Sequence, residues 1–120
     1  MNSEIELIAM QLIVAAGNAK SSYMEAIQES KKGNEEVALY LITEGKKAAL
    51  EGHEVHAKLI QLSGAENLPI SLLLLHAEDQ MMSCETILIV AEEIIALNKQ
   101  NRNLMAYLEE KIQCKVKERY

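Results

Sequence analysis

LLLLHAEDQMM, residues 72–82, sets three polar side chains and a histidine into a segment that is otherwise apolar. No helix breaker follows Ile70 until beyond Leu97, so the segment reads as the front of a long third helix. Leu72, Leu75, Met82 and Ile89 fall on one stripe of that helix, and Leu73, Ile87, Val90 and Ile94 on another. Asp79 lies on the first stripe, pointing where its leucines point. His76, one turn earlier, is rotated from Asp79 by roughly 60° at 3.6 residues per turn, so it stands beside the stripe. Gln80 shares the face of His76 at spacing i,i+4 and can hydrogen-bond the ring or a group attached to it.

Two further helices precede this one. Ser3 with Glu6 forms a capping box, and Ile5, Ile8, Leu12, Ala15, Ala19 and Ala26 follow at helical spacing, predicting a first helix to about Lys32. Gly33 suits the residue after a helix end, and Asn34 with Glu35 and Glu36 suits the start of the next. The second helix carries Val37, Leu41, Ala48 and Leu59 to about Leu62. A polar connector, residues 63–68, follows, with Gly64 closing the second helix and Pro69 in the first turn of the third. Asn98, Gln100, Asn101 and Asn103 weaken the third pattern, and residues 104–118 read as helical again, either continuously or after a kink. The expected fold is all-α, an antiparallel three-helix bundle forming one domain over 1–120, with a core at about 4–98 and a helical extension at about 99–120.

Composition limits the functions available. The 120 residues include no Phe or Trp and six Met, so the core is aliphatic and stacking platforms for nucleic acid are missing. A net charge of −6 repels nucleic-acid backbones and anionic lipid. The charge is uneven: six Lys/Arg against three Asp/Glu from Lys99 onward leave −9 on residues 1–98. Two cysteines, Cys84 and Cys114, are too few for a disulfide scaffold and fit reduced, cytoplasmic thiols. The longest apolar runs are too short to span a bilayer, so any role in transport relies on membrane partners.

Helices of about 28 residues are about 40 Å long, too long for three of them to bury every apolar face in one compact unit. Self-association is the simplest outlet. If the Asp79 stripe lined a symmetry axis, converging carboxylates would need a hard divalent cation such as Mg²⁺. On helix geometry alone, a solvated Asp79 at a helix edge is the simpler arrangement. His76 in an interhelical cleft is a competent phosphoryl acceptor, being nucleophilic near neutral pH; a lone helical histidine is more often structural. His53 and His56 share a face at i,i+3, but this is not the HExxH metal spacing and no third ligand is evident.

The chain resembles the IIA component of the lactose/cellobiose class of the phosphoenolpyruvate-dependent sugar phosphotransferase system. The likeness runs over roughly residues 4–98 and rests on AAGNAKSSYMEAI in the first helix, the Gly33-Asn34 turn, EGH at 51–53, NLP before the third helix and HAED at 76–79. It implies three-helix subunits assembled as a homotrimeric nine-helix bundle. It further implies that His76 accepts a phosphoryl group from the histidine-containing phosphocarrier protein and passes it to a cysteine of the IIB component, with the membrane IIC component served indirectly. Asp79 matches the aspartate that holds a structural divalent cation, such as Mg²⁺, on the trimer axis, one aspartate per subunit. The sugar would be cellobiose, another β-glucoside disaccharide, or lactose. Two positions depart from the pattern: Gln80 stands where a histidine is expected, and His56 where a glutamine is common. The alternatives are a non-catalytic helical adaptor and a histidine phosphotransfer domain, whose usual His-x-x-Lys-Gly pattern is missing after His76.

Overall fold

In the computed structural model, described here for residues 3–65 and 71–120 with the side chains of Ser3, Ser63 and Ala65 left aside, the chain is all-α. Helices α1 (Ser3–Lys31), α2 (Glu35–Ala65) and α3 (Leu72–Arg119) follow in order. The Ser3 capping box and Pro69 lie outside the described side chains and residues.

The first turn between helices forms as the sequence predicts at Gly33 and differently at Asn34. Gly33 has φ 87°, a left-handed conformation open to glycine at little cost. Its N–H bonds the Ser30 carbonyl at 3.1 Å, and the Asn34 N–H bonds the Glu29 carbonyl at 3.0 Å, the paired closure of a Schellman motif. Asn34 occupies the N-cap position of α2 through its backbone, its carbonyl accepting from the Ala38 N–H at 3.0 Å. Its side chain, expected to cap α2, turns back instead and donates to the Glu29 carboxylate at 2.7 Å. Helix α2 also runs past Gly64 to Ala65, since nothing crowds that glycine and a single one costs a helix only about 1 kcal/mol.

Helix α3 begins at Leu72, three residues after the start expected at Pro69. Ser71 is extended, at φ −119° and ψ 156°, and its hydroxyl accepts from the Leu74 N–H at 3.1 Å, the geometry of an N-cap. From there α3 is one uninterrupted helix of 48 residues, about 72 Å at 1.5 Å per residue. It accounts for most of the molecule's 80 Å length.

Helix α1 is the core element. Ile5, Ile8, Leu12, Ala16, Ala19, Tyr23, Ala26 and Ile27 are buried along it, and its alanines let α2 and α3 approach closely. The α2 helix answers with Ala38, Ile42, Gly45, Gly52 and Leu59, and α3 with Ala77, Met81, Cys84 and Ala91. The Tyr23 ring lies in the plane of contact against Gly45. Its hydroxyl has no hydrogen-bond partner among the described residues, and its pKa is pushed up to about 12, chiefly by burial, with Cys84 and Glu92 adding to it.

The Asn-rich stretch that weakens the apolar pattern of α3 does not kink the helix, because it is tied to the end of α1. Asn98 Nδ2 donates to Ser30 Oγ at 2.7 Å, while Ser30 Oγ, fully buried, donates to the Ile27 carbonyl at 2.8 Å. The Arg102 guanidinium donates to the Ser30 carbonyl and, at 2.6 Å, to the Glu35 carboxylate. Beyond Arg102 every residue of α3 is exposed.

Candidate functional site

Because Ser71 caps α3, His76 is its fifth residue, just past a first turn that contains no acidic side chain. His76 is exposed, and its ring makes no hydrogen bond or ion pair among the described residues. The four residues of HAED point four ways, as 100° per residue requires. Ala77 is fully buried against the core. Glu78, on the side of α3 away from His76, meets α2. Asp79 is exposed.

Glu78 is engaged by His56, whose Nε2 lies 2.7 Å and 2.9 Å from the two carboxylate oxygens, both side chains being half-buried. One turn earlier on α2 and two turns later on α3, His53 Nε2 lies 3.3 Å from a Glu85 oxygen. These four residues, with Met81 and Met82, line a cleft of about 180 Å³ between α2 and α3. The two histidines that share a face of α2 thus each face a carboxylate of α3. Among the described residues no group of three or more His, Cys, Asp or Glu is placed to hold a metal ion. His56 is directed at Glu78 and away from His76, so it supplies no second imidazole beside the His76 ring.

Gln80 is half-buried, and its amide oxygen is taken: Lys20 Nζ of α1 donates to it at 2.5 Å. The structure therefore brings Gln80 to Lys20, leaving the amide nitrogen of Gln80 as the group that can turn to His76. Sequence reasoning passed over Lys20, which lies in the AAGNAK segment of α1, 60 residues from its partner. Only the match of a long cation on α1 with a polar residue on the inner shoulder of α3 could have pointed to it.

Asp79 forms no ion pair among the described residues and stands within the apolar stripe identified from the sequence. Leu72 is 84% exposed there, Met82 70%, Ile89 65% and Leu75 55%. The exposed face continues through Leu97 opposite Ala77, Cys84 and Ala91, and Val90, which the sequence pattern sets on the second stripe, is exposed on it too, five whole turns from Leu72. Cys84 is buried with its thiol pushed up by that burial, against an opposing effect of Lys20, and Cys114 is exposed; both thiols are free. Among the described residues no helix is long and apolar enough to cross a membrane.

Residues 7–99 match the family model of the "PTS system, Lactose/Cellobiose specific IIA subunit". Two proteins of Bacillus subtilis (strain 168) are similar to the chain. Its lichenan-specific phosphotransferase enzyme IIA component is 38% identical over 98 residues, 81% of this chain and 89% of that protein. Its oligo-beta-mannoside-specific EIIA component is 36% identical over 95 residues, 78% of this chain and 86% of that protein. The crystal structure of the cellobiose-specific enzyme IIA of Bacillus anthracis superposes with a TM-score of 0.81 at 38% identity, covering 86% of this chain and 95% of that one.

Proposed function

Because the chain belongs to the lactose/cellobiose-specific IIA family of the phosphotransferase system, we propose that His76 is the residue that carries its phosphoryl group. The observation that supports this reading is the placement of His76: exposed on a rigid helix, unpartnered among the described residues, with acidic Glu78 turned away to His56. Phosphoryl transfer between imidazoles asks for in-line access and donors around the phosphoryl oxygens, with little covalent help from the protein. The donor is the histidine-containing phosphocarrier protein and the acceptor a cysteine of the IIB component, in the cytoplasm. The free thiols of this chain are not needed, one being buried in the core and the other far out on the α3 extension.

The exposed stripe of α3 supports a homotrimer in which three copies pack Leu72, Leu75, Met82 and Ile89 about a common axis, a nine-helix bundle. Three copies of Asp79 would then face one another. A single Asp79 cannot hold a cation, but three converging carboxylates fit a hard divalent ion such as Mg²⁺, whose role is to neutralise their charge. Similar proteins whose names specify lichenan, oligo-beta-mannoside and cellobiose favour a β-linked oligosaccharide as the sugar finally transported.

The test is phosphorylation of the purified chain by labelled phosphoenolpyruvate, enzyme I and the histidine-containing carrier, native against His76→Ala. An acid-labile, base-stable label that disappears in the variant supports the assignment. Absence of label on folded native protein would leave a helical adaptor as the reading.

A further inference from the structure

Lys20 differs from the lysines of the bundle that form ion pairs. Lys32, Lys46 and Lys47 each meet a carboxylate at 3.2–3.3 Å. Lys20 is half-buried in the groove between α1 and α3, and its partner is the neutral amide oxygen of Gln80 at 2.5 Å. An ammonium has three donors and no acceptor. A neutral amide is a weaker partner for it than an anion, because charge-assisted bonds are about twice as strong as neutral ones. The groove thus holds a cation without a counter-ion among the described residues.

The missing counter-ion has an obvious source one turn away. Gln80 and His76 are i,i+4 on the same face of α3, with Cβ atoms about 6 Å apart. A phosphoryl group on His76 brings close to two negative charges and three acceptor oxygens to that face. The lysine stem is flexible enough to swing through such a distance.

Resting on the carrier reading, we propose that Lys20 is the cation of the phosphorylated state. It is parked on the Gln80 amide in the unmodified chain and transfers to the phosphoryl oxygens when His76 is charged. In the reaction, a lone pair on one His76 ring nitrogen forms the new N–P bond. The donor's N–P bond breaks with its electron pair returning to the donor imidazole. The proton on the other His76 nitrogen is released as the donor ring takes one up. Lys20 forms and breaks no covalent bond; it compensates the charge that arrives, while the Gln80 amide, freed, offers its N–H to the same oxygens.

A merely structural Lys20 would tie α1 to α3 and do nothing else, so the experiment needs readouts that such a tie would not move. Native protein, His76→Ala, Lys20→Met, Lys20→Gln and Lys20→Arg are phosphorylated by the histidine-containing carrier, with helicity checked by circular dichroism. The rate of labelling is followed, and the phosphoryl group is titrated by ³¹P NMR. The expected result is a rate about ten-fold lower or more for Lys20→Met, as for a lost hydrogen bond to a charged group. Its ³¹P titration midpoint should move to higher pH, because the nearby cation favours the dianion, and Lys20→Arg should restore both. Lys20→Gln, which keeps a polar end for Gln80 and lacks the charge, should behave as Lys20→Met. Native rate and midpoint in both uncharged variants would overturn the proposal while leaving the carrier reading intact. A native chain that takes no label at all would remove both.

Discussion

Gly45→Ala should destabilise this protein although it replaces glycine by the best helix former, in the interior of a long helix. A Cβ placed on Gly45 falls against the Tyr23 ring, 2.7 Å from Cδ1 and 3.1 Å from Cζ, and nearer still to Cε1. Carbon atoms in ordinary contact stand about 3.5–4.0 Å apart, so the ring and the α2 backbone must separate by about 1 Å. Tyr23 is fully buried and cannot swing into solvent to make room. Overpacking of this kind costs about 1–3 kcal/mol, against about 1 kcal/mol gained from the alanine preference in a helix. The net expectation is a loss of up to about 2 kcal/mol, read from urea unfolding at fixed protein concentration. Gly17→Ala supplies the comparison: nothing lies within 4 Å of its Cβ, so it should show only the gain. Equal stabilisation by both substitutions would refute the argument, since it would mean that the Tyr23 ring does not occupy the space it is assigned.

If the chain assembles as the proposed homotrimer, Asp79→Leu should keep it by apolar packing, whereas Asp79→Lys should break it by adding like charge at the proposed axis; an intact trimer of the Asp79→Lys variant on a sizing column would contradict the axial placement. The Tyr23 hydroxyl, raised from its ordinary 10.0 to about 12, favours the neutral form in the folded chain. Stability is therefore full below about pH 10 and falls as pH rises through that window, a loss that Tyr23→Phe should abolish in alkaline melts. Glu29 and Glu35 are held below the usual carboxylate range, Glu29 by Asn34 and Lys32 and Glu35 chiefly by Arg102. Their contribution is present above the ordinary carboxylate pKa and lost as pH falls through the lowered values, so Arg102→Ala should flatten the acid limb of the stability profile. Removing residues 105–120, all exposed, should change the unfolding free energy by no more than about 0.5 kcal/mol, and a larger drop would show that the extension packs against something.

The sequence carried those features whose causes are local. Gly33 ends α1 because a left-handed residue is needed there, and the apolar stripe with Asp79 follows from periodicity alone. The features it concealed are pairings between distant positions. Asn34 reads in sequence as a cap for α2, but its side chain is drawn to Glu29 across the turn, an alternative that a short amide permits as readily as capping. The stretch 98–102 looks like a weak point in α3, yet Asn98 and Arg102 are paired with Ser30 and Glu35, 67 to 72 residues away. Lys20 escapes notice for the same reason. A polar residue in a helix is visible in sequence, but its partner is fixed only by how the helices are laid side by side.

That distinction also explains what the HAED segment does. Four consecutive residues of a helix cannot act on one point, because each is turned about 100° from the last. Ala77 is the inward position, fully buried, where a larger side chain would force α3 off α1 and tilt His76 with it. Glu78 looks like an acidic neighbour that would oppose a dianion on His76, but its rotation carries it to His56 on α2. Asp79 is turned the other way, onto the exposed stripe. Gln80 completes the turn, returning to the His76 face with its oxygen bound to Lys20. Glu78 is thus adjacent in sequence to the proposed carrier histidine and separated from it by rotation, while Asp79, about 60° round from His76, sits on the exposed stripe and a cation on the Gln80 side comes from another helix. For a protein with a net charge of −6, this arrangement would let His76, on the proposed carrier reading, receive a negatively charged group without meeting the Glu78 carboxylate.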